Sequence, residues 1–140
     1  MSPRKSRHVS SLTAGEMLFQ SDAGSLTALT ADRFPILEGL SVKRLVLEPG
    51  SIREPHWHAN ATELTYCLSG DLLVGMLGNA DSFSCFTIGS GQMFTAPSGS
   101  LHHIENVGES TAELIVAFRH EQPEDFSFRA SLAAMSDAVL

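Results

Sequence analysis

Short apolar runs separated by turn residues recur along the chain at roughly 8 to 12-residue spacing, and helix-period patterns are almost absent before residue 125. Such a pattern is typical of an antiparallel β-sandwich or β-barrel. Gly, Pro, Ser and Asn stand between the runs, as in Pro49-Gly50 and Gly78-Asn79, where chain reversals are expected. We therefore predict strands over residues 42–48, 56–59, 63–68, 72–77, 83–88, 92–96, 102–106 and 112–119.

The two ends of the chain are patterned differently. From residue 127 onwards, apolar residues recur three or four positions apart, at Phe128, Leu132, Met135 and Val139. This spacing predicts one amphipathic helix, which we expect to cover the barrel or a partner subunit. Before residue 42 the pattern is weak, and we interpret residues 17–19 and 34–37 as short edge or docking segments. The single domain is thus divided into an N-terminal arm with edge strands (1–41), a barrel (42–126) and a C-terminal helix (127–140).

Size and charge narrow the class of protein. A chain of 140 residues is long enough for one domain with a core and too short for two ordinary domains. Its 43% hydrophobic and 18% charged residues are typical of a globular protein. The net charge of −7 argues against a nucleic-acid partner, because neutralising phosphates needs clustered Lys and Arg. We interpret the basic cluster of Arg4, Lys5 and Arg7 as a solvated terminus.

The apolar runs of the chain are short. The first twenty residues contain no apolar core of a signal peptide, and no stretch approaches the roughly 18 apolar residues that cross a bilayer. We therefore expect a cytoplasmic protein without a membrane partner. Cys67 and Cys85 are too few for a disulfide framework and are expected to be reduced thiols.

Three side chains between Gly50 and Gly70 are candidates for metal binding. His56 and His58 are two residues apart, so on a strand both imidazoles leave the same face at a spacing of roughly 7 Å. That separation lets both reach one metal ion at bond lengths of about 2.0–2.1 Å. Glu63 begins the next predicted strand, from which its carboxylate can complete the cluster.

A further ligand is offered by His102 or His103, which are adjacent and therefore face opposite sides of a strand. Only one of the two can join the cluster, and strand alternation alone does not decide which. A set of three imidazoles and one carboxylate suits Mn, Fe, Co, Ni, Cu or Zn. It is less suited to Ca or Mg, which prefer oxygen ligands throughout.

The spacing of these residues resembles the two sequence motifs of the cupin family. The first motif runs through Gly50, His56, His58, Glu63 and Gly70, and the second through Gly91, Pro97, Gly99, His102 and Asn106. The resemblance implies an all-β, cupin-type double-stranded β-helix, or jelly-roll barrel. It also implies that His102, rather than His103, is the fourth metal ligand.

Over residues 42–140 the chain is similar to one domain of the oxalate decarboxylase and germin branch of that family. Members of this branch bind manganese and act on oxalate or related carboxylates, which implies Mn as the first candidate metal. An Arg three residues before the first ligand His commonly contacts the substrate in that branch, and Arg53 holds this position. Strand alternation alone turns Arg53 away from the His56 face. Pro55 interrupts regular pairing, however, and so allows Arg53 to face the same side as His56. The alternative is a surface Arg.

The same resemblance raises the question of a proton donor. Two-domain decarboxylases carry a flexible acidic lid that supplies the catalytic proton, and the matching stretch here is residues 120–125. Glu124 and Asp125 are the candidates, while the catalytic residue itself is left unassigned. The competing interpretation is a solvated acidic turn that caps the C-terminal helix through Asp125 or Ser127.

Three functions are compatible with these features. The first is a small metalloenzyme, an oxalate decarboxylase-like lyase or a related oxidoreductase, in which the metal and Arg53 bind a small carboxylate. The second is a non-catalytic module that binds or senses a small acid or sugar. The third is a structural or storage role. We favour the metalloenzyme and expect a homodimer, because two-fold dimers are the commonest assembly and the N-terminal arm can exchange strands.

Overall fold

The structure, a computed structural model, describes residues 6–80 and 82–136. In this part of the chain the strands are β1 (Glu16–Ser21), β2 (Gly24–Leu29), β3 (Ser41–Leu47), β4 (Ile52–Trp57), β5 (Glu63–Ser69), β6 (Asp71–Leu77), β7 (Phe83–Gly89), β8 (Met93–Ala96), β9 (His102–Asn106), β10 (Ala112–Phe118) and β11 (Phe126–Ser127). A 3₁₀ turn (Leu12–Ala14) precedes them, and one helix, α1 (Phe128–Ala133), follows.

The strands form two antiparallel sheets that face each other. The larger sheet has the strand order β1-β2-β3-β10-β5-β8, and the smaller one has the order β11-β4-β9-β6-β7. Sequence neighbours are repeatedly separated between the two sheets, as with β3 and β4, so the connections cross from one sheet to the other. The architecture is that of a cupin jelly roll, as the sequence motifs imply.

The core lies between the sheets and follows from the period-2 pattern of the strands. β3 and β10 alternate strictly between buried and partly buried residues, so every second side chain points inward. Leu45 and Leu114 come from the larger sheet, while Leu72, Val74 and Ile104 come from the smaller one, and all belong to one buried cluster. One end of this cluster gives way to polar side chains, and the candidate site lies there.

An irregularity in β4 shapes that end of the molecule. Arg53 pairs with Ile104 and His56 pairs with His102, so three steps on β4 correspond to two on β9. The extra residue is a β-bulge, a feature that re-aims side chains. Pro55 lies inside it, where the missing backbone N–H interrupts no regular pairing. As a result β4 begins at Ile52, earlier than the predicted start at residue 56.

The two ends of the chain differ from expectation in detail. The N-terminal arm contains two complete strands, and β2 pairs with β3 from Gly24 to Leu29, so it extends the larger sheet. The other predicted edge segment, residues 34–37, is not a strand and runs through turns. Helix α1 is only six residues long, and none of its residues is buried, so it lies on the surface. Val139, which the apolar spacing places on the predicted helix, lies outside the described residues.

Two further observations complete the fold. Cys67 and Cys85 are both free thiols, the first buried and the second exposed. Among the described residues, no helix is long and apolar enough to cross a membrane.

Candidate metal centre

Four side chains from both sheets meet at one end of the core: His56 near the end of β4, His58 just after it, Glu63 at the start of β5 and His102 at the start of β9. His56 and His102 come from the smaller sheet, and Glu63 comes from the larger sheet, where it pairs with Phe118 and Ala96. All four are buried. The structure therefore brings together the four residues that the motifs single out.

His58 follows the last residue of β4, and a turn of the second motif fixes its backbone. The carbonyl oxygen of His58 accepts a hydrogen bond from the backbone N–H of Gly99 at 2.9 Å. The Ser98 hydroxyl donates to the carbonyl oxygen of Ala59 at 2.6 Å. Gly99 has φ +81°, a left-handed conformation that glycine adopts without strain. The Pro-Ser-Gly turn that precedes His102 thus also holds the strand end that carries His58.

The distances match those of a metal site. One ligand atom from each of the four residues lies within 4.8 Å of all the others. Atoms bound to a common ion at about 2.0–2.2 Å lie at most about 4.4 Å apart, so a small contraction closes the cluster around one ion. The donor set of three imidazole nitrogens and a carboxylate fits a divalent transition metal.

The hydrogen bonds around the cluster aim all three imidazole rings in the same way. The Nδ1 atoms lie close to backbone carbonyl oxygens: His56 to Glu54 at 2.7 Å, His58 to Glu124 at 2.8 Å and His102 to Ser100 at 2.9 Å. A carbonyl oxygen can only accept a hydrogen bond, so the Nδ1 atom of each ring must be the donor and carries a proton. The Nε2 atoms point into the cluster, where those of His58 and His102 lie against the Glu63 carboxylate, and they can bind a metal once they carry no proton.

Charges within the cluster are set by mutual contacts. Burial acts to raise the pKa of Glu63, but hydrogen bonds with His102 at 3.2 Å and His58 at 3.0 Å outweigh it and hold that pKa well below its usual range. Burial acts to lower the pKa of His102, yet its contact with the Glu63 carboxylate raises it overall. Burial, together with the charges of Arg53 and His102, lowers the pKa of His56 to about 3. Glu63 is therefore ionised and His56 neutral, as metal binding requires, whereas His102 must release the proton that its Nε2 atom shares with Glu63 when a metal binds.

The neighbouring histidine is placed elsewhere. The ring of His103 lies over Gly75, where an added Cβ would come within 2.2 Å of its Cε1 atom. Its Nε2 atom lies 3.0 Å from a carboxylate oxygen of Glu105. Strand alternation turns it away from the cluster that His102 joins. The structure thus separates the two candidates, in agreement with what the family resemblance implies.

Arg53 lies beside the cluster because the bulge in β4 turns it to the same side as His56. Both residues line a small chamber between the sheets. The Nη2 atom of Arg53 lies 2.7 and 2.6 Å from the two carboxylate oxygens of Asp125. Arg53 is therefore not a free surface side chain, and its guanidinium is engaged by the acidic segment.

The two acidic candidates have different positions. Asp125 lines the chamber, and although burial acts to raise its pKa, the charges of Arg53 and Lys43 lower it to about 2. Glu124 is exposed and reaches the site only through its backbone carbonyl, which accepts from His58. The N-cap of α1 is Ser127, whose hydroxyl accepts from the backbone N–H of Ala130. Of the two residues considered as caps, Ser127 therefore has this role and Asp125 does not.

Sequence reasoning missed two residues around the site. Lys43 is buried on β3, with its Nζ atom 3.3 Å from Asp125 and 4.9 Å from the centre of the Phe118 ring. Burial lowers its pKa. The sequence does contain a sign of this. Lys43 occupies an inward-facing position of β3, where the next two inward-facing residues are Leu45 and Leu47. The second residue is Thr65, whose hydroxyl donates to the carboxylate of Glu63 and helps to fix the orientation of that ligand.

Two hollows adjoin the site. The chamber between the ligands, Lys43 and Arg53 has a volume of about 10 Å³, which is room for a single water at most. A much larger groove of about 540 Å³ lies outside it, lined by residues of β1, β2, β3 and β4 and by Arg129 at the start of α1. Arg53 and Asp125 line both hollows, so their ion pair lies between them.

Comparison with known protein families gives one match that covers almost the whole chain. A family model described as Cupin matches residues 10–140. Among curated proteins, germin-like protein 3-8 of Oryza sativa is 37% identical over 101 residues, which is 71% of this chain and 45% of the relative. Germin-like protein subfamily 2 member 2 of Arabidopsis thaliana is 35% identical over 117 residues, 82% of this chain and 53% of the relative. The chain thus spans about half the length of these relatives.

Solved structures show the same fold. Oxalate decarboxylase from Bacillus subtilis, in a structure used to study its Mn(II) centres, superposes on this chain with a TM-score of 0.85 at 23% identity. The superposition covers 91% of this chain and 34% of the decarboxylase. A formate complex of oxalate decarboxylase from Lactobacillus farciminis gives a TM-score of 0.85 at 24% identity, over 91% of this chain and 37% of that one. At this level of identity the likeness shows the shared fold.

Proposed function

Because the chain belongs to the cupin family, we propose that it is a metalloenzyme that acts on a small carboxylate such as oxalate. One divalent transition-metal ion, manganese in the first place, would be held by His56, His58, Glu63 and His102. The observation that carries this proposal is the common orientation of the three imidazoles, whose Nδ1 atoms are tied to backbone carbonyls. Their Nε2 atoms are left to share one ion with Glu63.

The choice of metal and substrate draws on the relatives. The Bacillus subtilis decarboxylase has Mn(II) centres, and the Lactobacillus farciminis enzyme forms a complex with formate. Both are oxalate decarboxylases that share the fold of this chain. These relationships support Mn as the metal and a small carboxylate as the substrate.

The residues of this chain have definite parts in such a reaction. When bound, the ion supplies a Lewis acid with open coordination positions that polarises a carboxylate oxygen. Arg53 offers a planar fork of N–H donors that matches a second carboxylate oxygen or a second carboxylate. Apolar side chains of Ile104, Val116 and Phe118 also line the chamber, and an apolar lining strengthens the charge interactions beside it.

The test is turnover by the metal-loaded protein. The protein is loaded with Mn²⁺, freed of excess metal and incubated with oxalate, and the consumption of oxalate is followed together with formate and hydrogen peroxide. Formate identifies decarboxylation, and peroxide identifies oxidation. His102→Ala is the inactive variant, and His103→Ala is its matched control, which we expect to keep the activity. Oxalate that stays unconsumed by fully loaded protein would contradict the proposal.

A second function is favoured by the acidic segment. Asp125 is held ionised between Arg53 and Lys43, and the Glu124 side chain is exposed, so neither is placed as a ready proton donor. The same site would then serve as a non-catalytic module that binds or senses a small acid. This alternative predicts an increase in Tm when the metal-loaded protein meets oxalate, without turnover.

We also propose a homodimer. In β1 the side chains of Met17, Leu18 and Phe19 are about half exposed at the edge of the larger sheet, where a second copy can cover them. Light scattering would test this, and a monomer at all concentrations would contradict it. The cytoplasmic location expected from the sequence stays a prediction.

A further inference from the structure

Lys43 is a buried cation in a position where the strand pattern calls for an apolar residue. Its relative exposure is only 7%, and it shares the inward face of β3 with Leu45 and Leu47. Lys is almost never buried unless it is paired, because removing an ammonium group from water costs free energy that only a partner of opposite charge can offset. A buried ion pair is often no more stabilising than apolar side chains of the same volume. The stability of the core therefore does not explain Lys43.

The ammonium group of Lys43 faces the carboxylate of Asp125. This carboxylate lies against two cations at once, with both oxygens on Nη2 of Arg53 and one of them 3.3 Å from Nζ of Lys43. The three side chains line the chamber that also contains His56, His58 and Glu63. Together they form an anion site next to the metal cluster, and a carboxylate of the chain itself occupies it.

The sizes of the chamber and of the groove limit how a ligand can approach the metal cluster. The chamber of about 10 Å³ leaves no room for an acid of several atoms, whereas the groove outside has about 540 Å³. Asp125 and Arg53 line both hollows. An acid that enters from the groove and takes the place of the Asp125 carboxylate comes to lie beside the metal cluster.

We infer that Lys43 and Arg53 form a two-cation receptor for a dianionic small acid, and that Asp125 is the internal carboxylate which the acid displaces. This inference rests on the proposed function, which it deepens by naming the charge class of the ligand and a specificity-determining residue, Lys43. Arg53 and Lys43 offer donors from two sheets, β4 and β3, so one acid can bridge both while its other end meets the metal ligands.

The balance of charge favours a dianion over a monoanion. Lys43 and Arg53 offset Asp125 and Glu63 one for one, so a divalent ion adds a double positive charge that no side chain of the chamber offsets. A monoanion that replaces the Asp125 carboxylate leaves the net charge of the chamber unchanged. A dianion in the same place lowers the net positive charge by one. Lys43, with a relative exposure of 7%, is the more buried of the two cations, so its attraction for an anion is less screened by water. Oxalate and malonate are therefore the expected ligands, and acetate and formate the poor ones.

Isothermal titration of the Zn²⁺-loaded protein with oxalate, malonate and acetate tests the inference, since Zn²⁺ has no redox chemistry that would consume the ligand. Lys43→Met keeps an unbranched side chain only one atom shorter and removes its charge. Arg44→Met is the matched control, because Arg44 is the next residue on β3, faces the other side and pairs with Glu113. Asp125→Asn removes the internal competitor while keeping its shape. Metal content is measured after each titration to show that oxalate has not extracted the ion.

The expected results differ between the variants. Lys43→Met weakens oxalate and malonate binding about tenfold or more, a loss of about 1.4 kcal/mol, and does not lower metal affinity or Tm. Arg44→Met stays within about twofold of the wild type, and Asp125→Asn binds both diacids more tightly. A purely structural Lys43 would instead change Tm and leave the affinity for acids alone.

Two outcomes overturn the inference, and they can be told apart. If the metal-loaded wild type binds oxalate or malonate but Lys43→Met binds them equally well, or Asp125→Asn binds them less tightly, the receptor is wrong while the proposed function stands. If the metal-loaded wild type binds none of the acids, both the receptor and the proposed substrate class fail.

Discussion

His56 and His102 lie directly opposite each other on β4 and β9, with their ring centroids 4.3 Å apart. The pairing of the two strands fixes this distance before any metal is bound. The cluster is thus assembled by the sheet, and the metal adds a bond between elements that are already in place.

Removing one imidazole tests this assembly. We predict that His102→Ala lowers the affinity for Mn²⁺ or Zn²⁺ by about 100-fold or more, because a metal ligand is lost and the remaining donors come from only three side chains. His103→Ala, one residue further along β9, is expected to bind metal as the wild type does. Metal content after dialysis and competition with a chelator measure both. Equal loss of metal in the two variants would mean that the cluster is not the site.

Metal binding should stabilise the fold. At free metal 100 times above the dissociation constant, binding adds about 2.7 kcal/mol to the free energy of unfolding. For a chain of this size that corresponds to an increase in Tm of roughly 5 to 10 °C. Differential scanning calorimetry with metal and with a chelator measures the shift. The shift should vanish in His102→Ala; if it persists there, the stabilising ion is bound elsewhere.

Asn106 is predicted to be a structural residue of the second motif. It is buried, its amide donates to the carbonyl oxygens of Leu47 and Ser110 at 2.8 Å each, and its own oxygen accepts from the N–H of Gly108. Asn106→Asp replaces the donating amide by an oxygen that faces two carbonyls. We expect a loss of about 2 to 3 kcal/mol in the free energy of unfolding, measured in urea.

The exposed turn residue Asn79 provides the control for Asn106. Asn79→Asp makes the same chemical change outside the core and should cost less than about 0.5 kcal/mol. A similar cost at both positions would contradict the structural role of Asn106.

The ion pairs of Asp125 give a prediction for pH dependence. Because the folded-state pKa of Asp125 is lowered to about 2 from 3.8, its ionised form stabilises the fold above about pH 4, and that contribution is lost as the pH falls towards 2. The side chain is partly exposed to solvent, so we discount the contribution to about 1 kcal/mol. In metal-free protein, the difference in free energy of unfolding between the wild type and Asp125→Asn should be constant from pH 7 to 5 and shrink below pH 4. A difference that does not change with pH would rule out this contribution.

The sequence predicted most strands because the inward and outward positions alternate and turn glycines separate them. The strand predicted over residues 63–68 is β5 (Glu63–Ser69), and the one over 102–106 is β9. β2 was not predicted, because Gly24 to Leu29 lacks β-branched residues other than Thr27 and its burial comes from pairing with β3. The early start of β4 was missed because Pro55 indicates a strand end, whereas here it lies in a bulge.

The ligand cluster was predictable from spacing, and its surroundings were not. His56, His58, Glu63 and His102 are tied to motif positions, so their convergence follows from the family fold. Lys43 and Asp125 are 82 positions apart and meet only because β3 and the segment before β11 lie on two sides of the same chamber. No local pattern contains that contact. The length of α1 was overestimated because apolar spacing alone does not show whether a helix has a surface to pack on.

The central claim, one divalent metal ion held by His56, His58, Glu63 and His102, is tested most directly by crystals of Mn²⁺-loaded protein. Diffraction data are collected on both sides of the Mn absorption edge. The account predicts one anomalous peak at about 2.0–2.3 Å from the Nε2 atoms of the three histidines and from a carboxylate oxygen of Glu63. A fully loaded crystal with its peak at other residues, or with no peak among these four side chains, would contradict it.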